Sequence, residues 1–299
     1  MTAELTQNPY AHLSTGKRVA KTTLKCLHAV LPRKVYEALY FPAFNIYHNS
    51  LRRSYGKQIS RLEQSGNEAK LVRTKRVHAV MPHSLIGSSG LEHTHDLALY
   101  AIKNNIPGAF VECGVARGGC AALIATVAAS DSQARNCWFF DSYEGLPDPT
   151  VEDIADGATG DHIRPLPKGS CLGTIEQVSE LLFDQFKLSR ENITLVKGWF
   201  DQTLPVTGEK IGAIALLRVD GDWYESTKCC LEELFDQVTP GGHVIIDDYY
   251  SCHGARKATD EFLATRGISV DLVSDGRGGS FFQKPVEGGS ASDSVRGAA

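Results

Sequence analysis

Ala213-Ile214-Ala215-Leu216-Leu217-Arg218-Val219-Asp220-Gly221-Asp222-Trp223-Tyr224, followed by Pro240-Gly241-Gly242-His243-Val244-Ile245-Ile246-Asp247-Asp248-Tyr249, decides the fold of this 299-residue chain. Each stretch is an apolar run that ends in acids, and a helical stretch separates them. Short, continuous apolar runs of this kind read as strands buried on both faces of a parallel sheet. Neighbouring parallel strands end on the same edge. Asp220, Asp222, Asp247 and Asp248 are therefore expected to crowd one spot at the carboxyl ends of the strands, where open α/β sheets bind ligands. Carboxylates this close repel one another, and a divalent cation is the natural partner.

Working outward, the text alternates strand and helix from Gly108 onward. Expected strands are Gly108–Cys113, Cys137–Asp141, Asn192–Lys197, the two acidic strands, Ile268–Val273 and Ser280–Gln283. Expected helices include Gly119–Ser130 and Thr174–Lys187. The turn-rich Ser274-Asp275-Gly276-Arg277-Gly278-Gly279 reads as a hairpin. The sum is an α/β fold, a doubly wound, seven-stranded, mostly parallel sheet with an antiparallel edge. Residues 17 to about 80 read as basic, aromatic and helical, broken at Pro32 and Pro42. Residues 1–16 read as a loose tail, and 287–299, rich in Gly, Ser and Ala, as disordered. The expected organisation is thus an N-terminal helical extension over 1–80, a catalytic-looking unit over 81–286 and a tail over 287–299.

Charge is unevenly placed. The net charge is -4, yet residues 17–86 hold 14 Lys/Arg against Glu37, Glu63 and Glu68, which leaves -15 for the rest. Three readings of the basic arm follow. It covers the active site and helps a homo-oligomer form; it holds an acceptor bearing phosphate or carboxylate; or it lies on an anionic membrane surface, since Tyr36, Tyr40, Phe41, Phe44 and Tyr47 interleave with Arg33, Lys34, Arg52 and Arg53. The last would place peripheral membrane contact in residues 17–60. Nothing resembles a nucleic-acid recognition module. The eight Cys show no Cys-x-x-Cys and no zinc-like spacing, which reads as reduced thiols in a cytoplasmic protein. The N-terminus has no secretory pattern, and no run approaches the ~18 apolar residues of a membrane span.

Glu112-Cys113-Gly114-Val115-Ala116-Arg117-Gly118-Gly119 sits between the first strand and the helix after it. Its Gly-x-x-x-Gly-Gly spacing differs from the dinucleotide fingerprint, and no Gly-Lys-Ser/Thr follows. A carboxylate here repels a pyrophosphate and attracts an amino group or a sulfonium. Asp141, ending the next strand, suits ribose hydroxyls. A ribose, an amino group and no phosphate describe S-adenosylmethionine; the alternative is a structural turn with a solvated Glu112.

In an extended segment Asp220 and Asp222 project to one side, ~6 to 7 Å apart. Asp247 and Asp248 converge only if the strand breaks after Ile246. An all-oxygen donor set favours Mg²⁺, Ca²⁺ or Mn²⁺ over Zn²⁺. Methylating an aliphatic hydroxyl needs such an ion: the hydroxyl pKa is ~16 and a free Asp is ~4, so direct proton transfer is uphill by roughly 16 kcal/mol. A cation on the hydroxyl oxygen closes much of that gap, and a positioned carboxylate takes the proton. Structural alternatives remain open. Asp222 or Glu225 can cap a helix over 226–236, and Asp247 can pair with Arg218 or Arg256. His93 and His95, two apart on a helix, point ~200° apart and cannot share a metal. His253 is a candidate substrate contact. His162 lies in an insert, 147–173, whose composition suits a lid.

At these residues the chain resembles the macrocin O-methyltransferase family over about His83 to Phe282. The carrying motifs are 111–119, Asp141-Ser142-Tyr143-Glu144-Gly145-Leu146-Pro147, Gly198-Trp199-Phe200-Asp201-Gln202-Thr203-Leu204-Pro205, 220–227 and 240–249. The resemblance implies a class I methyltransferase fold, Rossmann-like, and an enzyme that uses S-adenosylmethionine and Mg²⁺ to methylate a hydroxyl of a glycosylated small molecule in natural-product biosynthesis. It implies Asp220, Asp247 and Asp248 as metal ligands and Asp222 as general base. For the cofactor it implies Glu112, Gly114, Val115, Arg117 and Gly118 around the methionine part, Asp141 and Ser142 at the ribose, Gly198, Trp199 and Phe200 near the adenine, and Asp220 shared with the metal. Trp223, where Leu or Met is usual, is expected beside the base and bears on acceptor shape. Rival readings are a catechol-type methyltransferase and a non-catalytic, membrane-associated binding protein.

Overall fold

A computed structural model describes residues 15–155, 157–160 and 166–286. The seven strands are β1 (Ala109–Cys113), β2 (Cys137–Asp141), β3 (Ile193–Lys197), β4 (Ile214–Val219), β5 (Val238–Ile246), β6 (Val273–Ser274) and β7 (Ser280–Gln283). They form one sheet in the order β3-β2-β1-β4-β5-β7-β6. β1 to β5 run parallel, and β7 and β6 close the edge antiparallel. The chain reverses its direction of winding between β1 and β4, which opens a crevice above their carboxyl ends.

Alternation along each strand builds the two faces. Phe110, Phe139, Leu216 and Ile245 pack on one side, against α4 (Ser88–Lys103) and α5 (Gly119–Ala128). Val111, Phe140, Leu217, Val244 and Ile246 pack on the other, with α8 (Tyr224–Leu234) and α9 (His253–Thr265). Every residue of β1 and β4 is buried, as their unbroken apolar runs require. Gly119 lets the start of α5 lie close against the segment before α4: a Cβ there would run into the backbone of His83 and Ser84.

Among the described residues three helices precede this unit: α1 (Thr15–Val30), α2 (Arg33–Ser65) and α3 (Glu68–Val80). Pro32 separates the first two, as expected. Pro42 does not break the second but sits inside it. A proline forfeits one backbone donor; stacked rings at i,i+4 bridge the site, with centroids 5.6 Å apart for Tyr36–Tyr40 and 5.8 Å for both Tyr40–Phe44 and Phe44–His48. The helix expected over Thr174–Lys187 is split into α6 (Ile175–Ser179), capped by Thr174 and Gln177, and a π-helical turn over Glu180–Gln185. The strand expected over Ile268–Val273 shrinks to the two residues of β6. Ile268, Val270 and Leu272 instead pack their side chains on the α8–α9 face, so burial rather than backbone pairing holds that segment. The loose tail expected to residue 16 gives way to α1 at Thr15. The remainder of that tail, the expected disordered tail at 287–299 and His162 lie outside the described residues. Among the described residues no helix is long and apolar enough to cross a membrane.

Candidate active site

β5 ends at Ile246, so Asp247 and Asp248 leave the strand and turn toward the same edge as Asp220, which follows β4. One carboxylate oxygen from each of Asp220, Asp247 and Asp248 lies within 4.8 Å of the others. A second group, Asp222, Asp248 and Cys252, shares Asp248 on the same criterion. The extended geometry expected for 220–222 is absent. Asp222 is left-handed at φ 56°, and Trp223 N–H donates to the Gly221 carbonyl 2.5 Å away, so the chain turns sharply and brings Asp222 round to Asp248.

These acids floor a cavity of about 690 Å³ at the crevice between β1 and β4. Of the residues expected to bind cofactor, Gly114, Asp141, Ser142, Trp199, Phe200 and Asp220 line it; Glu112, Val115, Arg117, Gly118 and Gly198 do not. The glycine turn is built for close approach. Gly114 has φ 97°, and a Cβ there would collide with the Asp220 carbonyl. Asp141 ties the turn to β2: its Oδ2 accepts the N–H groups of Val115 at 2.7 Å and Ala116 at 2.9 Å, and its Oδ1 accepts that of Tyr143 at 2.6 Å. Oδ2 is thereby filled, and Oδ1 keeps one lone pair for a hydroxyl in the cavity.

Glu112 is wholly buried and turned away from the cavity, toward Arg218. Arg218, fully buried within β4, is more than an alternative partner for Asp247. Its Nε lies 3.1 Å from Glu112 Oε1, and its Nη2 lies 3.0 Å from Asp220 Oδ2 and 2.6 Å from Asp247 Oδ1. Its Nη1 donates to Thr94 Oγ1 at 3.4 Å. One guanidinium thus links acids from β1, β4 and β5. Arg277, on the hairpin turn, donates to the other Asp247 oxygen at 2.9 Å. Arg256 takes no part and lies over the Tyr249 and Tyr250 rings. An arginine inside an apolar strand was the available signal, because a buried guanidinium must meet anions.

The electrostatics follow. Burial opposes ionisation of Asp247, but Arg218 and Arg277 hold its carboxyl well below the usual range. Burial and then the nearby Asp247 push Asp220 well above it, with Arg218 opposing. Burial raises Glu112 to about 7 against the pull of Arg218. The site as it stands is short of positive charge.

Other expectations move. Neither Asp222 nor Glu225 caps α8; Asp153, buried in the 147–173 insert, accepts the Tyr224 N–H at 2.6 Å instead. Trp223 is buried, does not line the cavity and donates from Nε1 to the Pro147 carbonyl at 3.1 Å, so it anchors the insert rather than shaping the acceptor space. His93 binds the Ser89 carbonyl and His95 pairs with Asp96, apart from each other. His253 opens α9 and does not line the cavity.

Residues 20–284 match the model of the macrocin O-methyltransferase family. The chain belongs to that family. This macrocin O-methyltransferase family member is therefore an O-methyltransferase. It is 37% identical over 204 residues to demethyldecarbamoylnovobiocin O-methyltransferase of Streptomyces niveus, covering 68% of this chain and 76% of the relative. It is 35% identical over 196 residues to the 8-demethyl-8-(2,3-dimethoxy-alpha-L-rhamnosyl)-tetracenomycin-C 4'-O-methyltransferase of Streptomyces olivaceus, covering 64% and 72%. Among solved structures, the O-methyltransferase NovP superposes with a TM-score of 0.59 at 35% identity, over 68% of this chain and 83% of that one. The calicheamicin methyltransferase CalS11, at 19% identity and a TM-score of 0.54, shares the fold over 92% of this chain and 95% of that one.

Proposed function

We propose that this O-methyltransferase moves a methyl group from S-adenosylmethionine to a hydroxyl of a sugar carried by a small molecule, with Mg²⁺ bound by Asp220, Asp247 and Asp248. The observation that carries the reading is the meeting of those three carboxylates beside the Gly114 turn, on the floor of a cavity that also presents Asp141 and Trp199. The donor set is all oxygen, as a hard dication requires. Asp247 Oδ1 fits a ligand role further: it lies 2.6 Å from Arg218 Nη2 as an ion pair yet accepts no well-directed hydrogen bond. The Streptomyces olivaceus relative is named for a rhamnosyl-bearing tetracenomycin, which supports a sugar hydroxyl.

Mg²⁺ at this site would supply Lewis acidity, lowering the pKa of an acceptor hydroxyl toward the range of a carboxylate base. Asp222, on its tight turn at the cavity wall, takes the proton. Arg218 keeps Asp220 and Asp247 aligned from beneath, and Glu112 acts through Arg218. Gly114 lets the methionine part of the donor approach the backbone, and Val115, Arg117 and Gly118 shape that turn. Asp141 and Ser142 face the ribose; Trp199 and Phe200, placed by Gly198, wall the adenine side. Holding donor and acceptor in line supplies much of the rate. The test is calorimetry with S-adenosylhomocysteine, with and without Mg²⁺, together with a methylation assay on glycoside and catechol acceptors. Failure to bind S-adenosylhomocysteine, or transfer to catechols alone, would overturn the reading.

A further inference from the structure

We infer that α1 and the first half of α2 seat this enzyme on an anionic lipid surface through their outward faces. The inference does not depend on the donor, metal or acceptor just proposed. Among the described residues fourteen large apolar side chains are exposed, and eight of them fall between Val19 and Tyr47. On α1, Val19, Leu27 and Val30 recur within about 80° of the helix circumference. On α2, Val35, Leu39 and Ile46 recur within about 40°. Val30 and Ile46 are 75% and 72% exposed. Other sides of the same helices are already used, because Leu24, Tyr40, Phe44 and Leu51 line the cavity. An apolar stripe on a helix gains by leaving water, and no described part of the fold covers these two. Phe41 and Tyr47, also exposed, add rings of the kind that settle at the headgroup level of a bilayer.

Charge selects the partner. From Thr15 to His48 the sequence holds Lys17, Arg18, Lys21, Lys25, Arg33 and Lys34 against Glu37 alone. Lys34, Arg52 and Arg53 are exposed and lie off the cavity lining, where only His48 and Arg277 are basic among the described residues. That leaves the phosphate-holding reading of the arm without a lysine or arginine of the arm to act. A second copy packed face to face would set six cations against six, because an isologous interface repeats one patch on both sides. An anionic surface instead attracts each Lys or Arg near it, and the boundary between headgroups and acyl chains takes up the apolar stripes. The contact is peripheral, since no described helix is long and apolar enough to cross a bilayer. Tyr47 lines the cavity and is also 57% exposed, so the docking face adjoins the cavity mouth.

The experiment is co-sedimentation of the full chain with vesicles of phosphatidylcholine alone and of phosphatidylcholine with about one-third phosphatidylserine. Binding should be at least about tenfold tighter to the mixed vesicles, and should weaken about tenfold between ~0.1 and ~1 M NaCl. Ile46→Asp should cost about tenfold in vesicle affinity and Lys34→Gln about fivefold. Both positions are exposed, so each variant should keep the Tm of the unsubstituted protein within about 2 °C. Val206→Asp, at a site 66% exposed but outside the arm, should change neither measurement. Equal binding to the two kinds of vesicle, or binding to neither, would overturn the inference. A dimer in sedimentation velocity that Ile46→Asp splits would assign the face to a second copy and overturn it as well. So would tighter binding to duplex DNA than to the mixed vesicles, which would assign the cations to nucleic acid.

Discussion

Asp222 and Arg218 show what single residues do here. Asp222 sits at positive φ on the cavity wall, a conformation that disfavours most side chains and that Asn tolerates as well as Asp. Asp222→Asn should therefore fold normally and bind S-adenosylhomocysteine as before while losing about 10²- to 10⁴-fold in kcat, the usual contribution of a proton acceptor. Turnover near the original value would take the role away from it. Arg218→Met would leave Glu112 buried without its cation and Asp247 with Arg277 alone. Breaking a buried pair in this way costs about 3–5 kcal/mol, and chemical denaturation at pH 7 should show a loss of that size. Stability within about 1 kcal/mol of the original would mean that the three acids are neutral or hydrated rather than bridged. The acids were legible in the sequence because each follows an apolar run and inherits its address from the strand. The direction of Glu112 was not, because facing donor or arginine depends on what β4 brings alongside at a separation of 106 residues. The same holds for Trp223, whose partner is the Pro147 carbonyl across a long insert.

The elements that carry the site were read mostly from periodicity, and the exceptions have local causes. β1, β2 and β4 are short, continuous and apolar, so their limits fell within a residue or two of expectation. Pro42 signals a break by the donor it lacks, yet it sits inside α2, where stacked rings on either side span it. The edge segment 268–272 looks like a strand because it is apolar at alternate positions, yet packing alone satisfies that pattern. β5 holds a further consequence. His243 lies in it, nearly buried and edge-on to Tyr100 at 5.0 Å, and desolvation lowers its pKa to about 4. In the unfolded chain an imidazole titrates near ~6.5. As pH falls through that value the unfolded state takes up a proton that the folded state refuses until about pH 4. Stability that is whole above ~6.5 is therefore lost across this window, by up to roughly 3 kcal/mol for this one group. His243→Gln should reduce the difference between unfolding free energies at pH 7 and pH 4.5 by about that amount. Parallel pH profiles for the two proteins would show that the acid sensitivity arises elsewhere.

Across the whole molecule, the sheet order places the acids of β4 and β5 where winding changes direction, and the helical arm closes the space above them. Folding thus collects five carboxylates around one cavity, with Arg218 and Arg277 as the cations that meet Asp247. Such an arrangement opposes its own fold until more positive charge arrives, so a dication that binds the folded chain and not the unfolded one should stabilise it. At a concentration 100-fold above its dissociation constant the gain is about 2.7 kcal/mol, which for a chain of this size corresponds to a rise in Tm of about 5 °C. Thermal unfolding in EDTA and then in excess Mg²⁺ measures it directly. Asp248→Asn separates a specific site from general screening, because Asp248 belongs to both clusters that could hold an ion. The variant should lose most of the Mg²⁺ increment while keeping any shift that equal ionic strength in NaCl produces. If Mg²⁺ and ionic-strength-matched NaCl raise Tm equally in the unsubstituted protein, the acids hold no specific dication, and the oxygen-ligand reading of Asp220, Asp247 and Asp248 falls with that result.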